Sequence, residues 1–129
     1  MRKLVSSGSP YEKSIGFSRA VRVGDRISVS GTGPIAPDGS TASAGDAYAQ
    51  AKRCLEIIEQ AIIDAGGSLN QVIRTRIYLT DISKWEEVGK AHGEFFGEIK
   101  PASTMIEVKG FIRPDWLVEI EAECQLDKE

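Results

Sequence analysis

The chain has 129 residues, with 16 Lys+Arg, 19 Asp+Glu and one His, giving a formal net charge of −3. That length predicts one domain over residues 1–129, large enough to bury roughly two thirds of its unfolded surface without a disulfide or metal staple. Composition (41% hydrophobic, 27% charged) excludes disorder, the short apolar runs exclude a helix of roughly 20 residues spanning a bilayer, and mild acidity speaks against a dedicated nucleic-acid binder.

The basic start Met1-Arg-Lys3 leads into Ser6-Ser-Gly-Ser-Pro10, where a signal peptide would be apolar, so a cytoplasmic protein with no membrane partner is expected. Lys3–Ser6 reads as a first edge strand. Phe17–Val23 and Arg26–Gly31 are extended runs joined by Gly24-Asp25, a two-residue hairpin loop. Gly31-Thr-Gly-Pro-Ile-Ala-Pro-Asp-Gly39 is a turn-rich loop without the Lys and Ser/Thr of a phosphate loop.

Tyr48, Ala51, Leu55, Ile58, Ile62 and Ala65 recur at helical spacing and predict one apolar stripe. Ser43 with Asp46 resembles a capping box, and Gly66-Gly67 supplies the stop. Val72–Thr80 alternates as a strand: Ile73, Thr75, Ile77 and Leu79 take one side, and Val72, Arg74, Arg76, Tyr78 and Thr80 the other. A second helix is predicted from Ser83, with Glu86 completing its box and Trp85, Val88, His92, Phe95 and Phe96 on one face. Pro101 ends it. Ser103–Lys109 and Leu117–Gln125 are the last strands, the latter with Glu119, Glu121 and Glu123 along one face.

The order β-β-(β)-α-β-α-β-β predicts an α+β fold of two layers, with two helices on one face of one sheet. The helix-free sheet face carries Ser28, Ser30, Arg74, Arg76, Tyr78 and the glutamates, a composition that suggests contact with another subunit. Arg74 and Arg76 read either as rungs of a salt-bridge ladder with the glutamates or as an anion-binding pair. His92, the one imidazole, reads as a packed, hydrogen-bonded residue, and Gly89 and Gly93 as points of close helix packing. Cys54 and Cys124 lack metal-ligand spacing and read as buried, reduced thiols.

Ser14-Ile-Gly16, Ser30-Gly31, Ala65-Gly-Gly67, Arg76-Ile-Tyr-Leu-Thr-Asp81, Pro101-Ala-Ser-Thr-Met-Ile-Glu-Val108 and Leu117-Val-Glu-Ile-Glu-Ala122 come in the order of the Rid (YjgF, reactive-intermediate imine deaminase) family. The chain resembles that family from about Ser14 to Ala122. The resemblance implies a chorismate-mutase-like fold with one mixed sheet, a homotrimer with an inner β-barrel, and ligand clefts between subunits. It also implies cofactor- and metal-free hydrolysis of reactive 2-imino acids to 2-oxo acids and ammonia, with Glu119 positioning the water.

Around Glu119 the resemblance places Ser30, Gly31, Ser103, Met105 and Gly89 as substrate-binding positions, and Arg76 is a candidate cation for an anionic metabolite. Ser103 stands where deaminating members carry a carboxylate-clamping Arg, Met105 where they carry Cys, Ser18 in place of an aromatic and Gly89 in place of Asn. A neutral hydroxyl does not replace a bidentate charge-assisted pair, a loss on the order of 1.5–3 kcal/mol. The expected activity is therefore an imine or enamine hydrolase with diverged substrate specificity. The alternative is a trimeric small-metabolite binder without turnover. RNA cleavage ranks third.

Overall fold

The computed structural model describes residues 2–127. Six strands form one mixed sheet in the order β1-β2-β3-β6-β4-β5: β1 Arg2–Val5, β2 Ala20–Val23, β3 Arg26–Thr32, β4 Val72–Leu79, β5 Ala102–Glu107 and β6 Val118–Gln125. All neighbours are antiparallel except β4 and β5, whose parallel pairing requires the crossover through α3, Trp85–Phe96. Helix α2, Ala47–Asp64, carries the chain from β3 to β4 over β6.

The apolar stripe explains the packing. Ala51, Leu55, Ile58 and Ile62 of α2 are fully enclosed against Ile27, Ile77, Val118 and Ile120 of the sheet, and Val88, Ala91 and Phe96 of α3 join the same core. The two-layer arrangement is as the patterning predicts, with Gly66 in the left-handed region (φ 92°) ending α2.

Several local expectations are corrected. A third helix, α1 (Pro10–Ile15), is capped by the Ser9 side chain, which accepts from Tyr11 N–H. The start of α2 is capped by Asp46 itself, accepting from Ala49 N–H at 3.0 Å, because Ser43 sits at φ 47° and turns the chain away from the cap. Asp81 caps a short 3₁₀ turn over Ile82–Lys84, so α3 begins at Trp85, and that indole is exposed. A bulge between Val72 and Arg74 reverses the start of β4, burying Val72 and leaving Ile73 48% exposed.

The helix-free face carries the ladder. Arg76 Nη1 donates to Glu123 at 2.6 Å and lies 3.8 Å from Glu121, which accepts from the Tyr78 hydroxyl at 3.0 Å. Arg74 donates to Thr104 at 3.2 Å. No helix among the described residues is long and apolar enough to cross a membrane.

Candidate active site

A second bulge, in β3, makes the site. Val29 pairs with Ala122 and Thr32 with Ile120, so Ser30 and Gly31 together oppose one residue of β6. Ser30 uses its hydroxyl to donate to the Ser18 carbonyl at 2.6 Å, tying the bulge to the segment before β2. Gly31 has no side chain, and the Glu119 carboxyl occupies that space: a Cβ at Gly31 would lie 2.7 Å from Glu119 Oε1. Glu119 lies opposite Tyr78 in the β6–β4 register and is half-buried. Burial pushes its carboxyl above the ordinary range, the nearby Arg19 guanidinium pulls it back, and Glu121 adds to the rise.

Glu119 and Gly31 share a cavity of about 600 Å³ with Phe17, Arg19, Arg53 and Trp116. Arg19 is 4% exposed. Its Nη1 donates to the Gly31 carbonyl at 2.7 Å and to Thr32 Oγ1 at 3.1 Å, its Nε donates to Ser7 Oγ at 3.3 Å, and the same nitrogen lies 3.6 Å from Glu12. Glu12 in turn accepts from the Ser7 amide and hydroxyl. On the opposite wall the indole of Trp116 lies flat on Gly33, where any Cβ would overlap it. Buried Gln50 fixes that wall by donating to the Asp115 carbonyl and accepting from Leu117 N–H, at 3.0 and 2.8 Å.

Of the residues singled out from sequence, this chain brings Gly31 and Glu119 together, with Ser30 supporting the bulge. Arg76, Ser103, Met105 and Gly89 do not line that cavity. Arg76 is engaged by the ladder described above. Ser103 is exposed on the outer strand β5, where it accepts from Thr75 Oγ1 at 2.8 Å, and Thr75 is also 2.8 Å from His92 Nε2. Burial lowers the His92 pKa, which favours a neutral ring in this hydrogen-bonded chain. Met105 packs half-buried against the core. A Cβ at Gly89 or Gly93 would meet only open space, so the expected close helix packing is absent there.

Arg19 and Trp116 carry no motif. Arg19 is one charged residue in a short turn-to-strand segment, and its burial arises only when the bulge, α1 and the Ser6–Ser9 segment converge. The thiols are inert: burial raises Cys54, and pushes Cys124 up to about 11. Among the described residues no three His, Cys, Asp or Glu side chains are grouped to hold a metal ion. Chemically, the cavity offers a half-buried carboxyl of raised pKa, a fixed cation and two aromatic side chains.

Comparison with known proteins gives the family. The family described as Endoribonuclease L-PSP matches residues 10–125. A crystal structure of Rv2704 from Mycobacterium tuberculosis, described as a member of the YjgF/YER057c/UK114 family, superposes with a TM-score of 0.89 at 46% identity, covering 98% of this chain and 100% of that one. A RutC family protein of Pyrococcus abyssi is 39% identical over 95% of this chain and 96% of its own length. The 3-aminoacrylate deaminase RutC of Acinetobacter baylyi is 34% identical over 78% of this chain and 79% of its own. The chain therefore belongs to the YjgF/RutC family, described as Endoribonuclease L-PSP, and has its chorismate-mutase-like fold.

Proposed function

We propose that this protein hydrolyses a small imine or enamine to a carbonyl compound and ammonia, with Glu119 as the proton carrier. The observation that carries this reading is the Glu119 carboxyl, half-buried above Gly31 on the wall of a ligand-sized cavity and raised by burial toward the range useful for general acid–base work. The similarity to a protein named 3-aminoacrylate deaminase supports the same reaction class.

In the first step water adds to the C=N carbon while the Glu119 carboxylate takes its proton and passes it to nitrogen. In the second the carboxylate takes the hydroxyl proton of the carbinolamine and gives it to nitrogen again. The C–N bond breaks, ammonia leaves, the carbonyl forms, and Glu119 ends as the carboxylate. An enamine enters this sequence by tautomerising to the imine, its carbon gaining a proton and its nitrogen losing one. Three copies meeting through their helix-free sheet faces would give the homotrimer that the ladder face and the exposed Leu4 and Ile106 beside it support.

Ammonia release from freshly generated 2-iminopropionate and from 3-aminoacrylate tests the proposal. We expect a rate above buffer that falls 100-fold or more, roughly the size of a lost general base, in Glu119→Gln. Wild-type rates equal to buffer on both would overturn it. Ser103 at the clamp position favours the second reading, capture without turnover; it would show as ligand-dependent stabilisation at buffer rates.

A further inference from the structure

A substrate with an anionic group needs a cation on the cavity that holds Glu119, and position 103 supplies a hydroxyl. Arg74 and Arg76 share the helix-free sheet face with Glu119, but they do not line that cavity; Arg76 is held by Glu123 and Arg74 donates to Thr104. Arg53 does, but it donates to the Ile35 carbonyl at 2.7 Å and lies 3.5 Å from Glu56 at the rim.

Arg19 meets the requirement. Three hydrogen bonds and one ion pair fix it, all away from Nη2: Gly31 O and Thr32 Oγ1 hold Nη1, Ser7 Oγ holds Nε, and Glu12 lies 3.6 Å from that same Nε. Nη2 makes no hydrogen bond among the described residues, and it is not one of the enclosed unpartnered atoms, which are Arg74 Nε and Trp116 Nε1. Arg19 lines the cavity with one N–H-bearing corner of its guanidinium left without a protein partner while the rest is locked, which reduces the ordering a ligand must impose. Arg19 and Glu119 flank Gly31 from two sides, one on its carbonyl and one in the space of its missing side chain, without approaching within ion-pair distance of each other.

We propose that Arg19 binds the carboxylate of the substrate through Nη2, holding a small 2-imino or 3-amino acid with its C–N bond toward Glu119. This assignment rests on reading the Glu119 cavity as the hydrolytic site. It makes Arg19 the specificity-determining residue in a chain whose position 103 carries no charge.

Pyruvate, a stable carboxylate of the same size, is the probe, titrated into the full chain and followed by protein NMR shifts. Arg19→Lys keeps the charge but loses the planar fork. The pair Arg19→Met with Glu12→Gln removes both partners, so no charge is left buried alone. Circular dichroism establishes that each variant is folded. We expect pyruvate to bind about tenfold more weakly to Arg19→Lys, with no saturable binding to the double variant and Glu119→Gln within about threefold of wild type. The KM for 2-iminopropionate should rise about tenfold in Arg19→Lys while kcat stays within about threefold. Pyruvate shifts that saturate alike in wild type and the folded double variant, or no binding to wild type at all, would overturn the assignment. Pyruvate binding lost with Arg19 in a protein that releases no ammonia would instead sustain Arg19 and overturn the hydrolase reading.

Discussion

Gly31 matters for what it lacks. A methyl group there would sit 2.7 Å from Glu119 Oε1, closer than Cβ atoms approach oxygen, and the neighbour that must yield is the end of a flexible side chain. Gly31→Ala should therefore cost little stability, within about 1 kcal/mol for a surface-accessible adjustment, but displace the carboxyl. Misplacing a reacting group by about an ångström can cost on the order of 100-fold, so kcat/KM for imine hydrolysis should fall 10- to 100-fold while urea midpoints stay close to wild type. A variant as active as wild type would detach Glu119 from the chemistry. Ser30-Gly31 and Glu119 were legible as sequence because each stands inside a short motif that the family resemblance carries, although the bulge that brings them together was not. Arg19 was not, since its environment is made by three separate segments, Ser6–Ser9, α1 and the β3 bulge, and no spacing rule encodes that convergence.

Elements were legible where one period dominates. Helix α2 follows its apolar stripe almost residue for residue, and β6 alternates buried and half-buried positions throughout. The reading failed at irregularities: a bulge adds one residue to a strand of period two and flips everything before it, which is why Val72 and Ile73 exchange sides. Helix α1 is less than two turns long, too short for an amphipathic pattern, and its only signal was Ser9-Pro10, a cap followed by the proline that helix starts accept.

The strand β6 also carries an acid-sensitive contact. Arg76 donates to Glu123, with Arg26 3.3 Å from the same carboxyl, and these cations hold its pKa below the ordinary value. Because the folded pKa is the lower one, ionised Glu123 favours the folded state at any pH above the unfolded value of about 4.3. That contribution fades as pH falls from there through the folded pKa. Glu123→Gln should lose about 0.2–1 kcal/mol at pH 7, typical of a partly screened pair, and the difference from wild type should shrink below about pH 4. Urea unfolding at pH 7 and pH 3 measures both; a difference that persisted at pH 3 would contradict the ion-pair account.

At the scale of the whole molecule, the sheet leaves one face to the helices and the other to charge and exposed apolar residues, among them Leu4, Val23, Ile73 and Ile106. If that face is where copies meet, light scattering on the 129-residue chain should give about three times its monomer mass. Ile106→Asp, which puts an unpaired charge into such a contact, should shift the mass toward one copy. A monomeric wild type would remove the trimer from the proposal and leave the ladder as a solvent-facing feature.

The strand order carries a different consequence, for how the polypeptide acquires its shape as it is synthesised. The strand at residues 118–125 lies between β3 and β4 near the centre of the sheet, although it is made after every other element. Until it emerges, β1-β2-β3 and the β4–β5 pair are separate half-sheets, each with an open edge, and the α2 stripe has no completed floor to cover. A nascent chain paused after β5 and before residue 118 would expose both edges and much of the future core at once. Assembly is then a late, all-at-once event that depends on this strand, and shortening the chain from that side should be far more damaging than trimming β1.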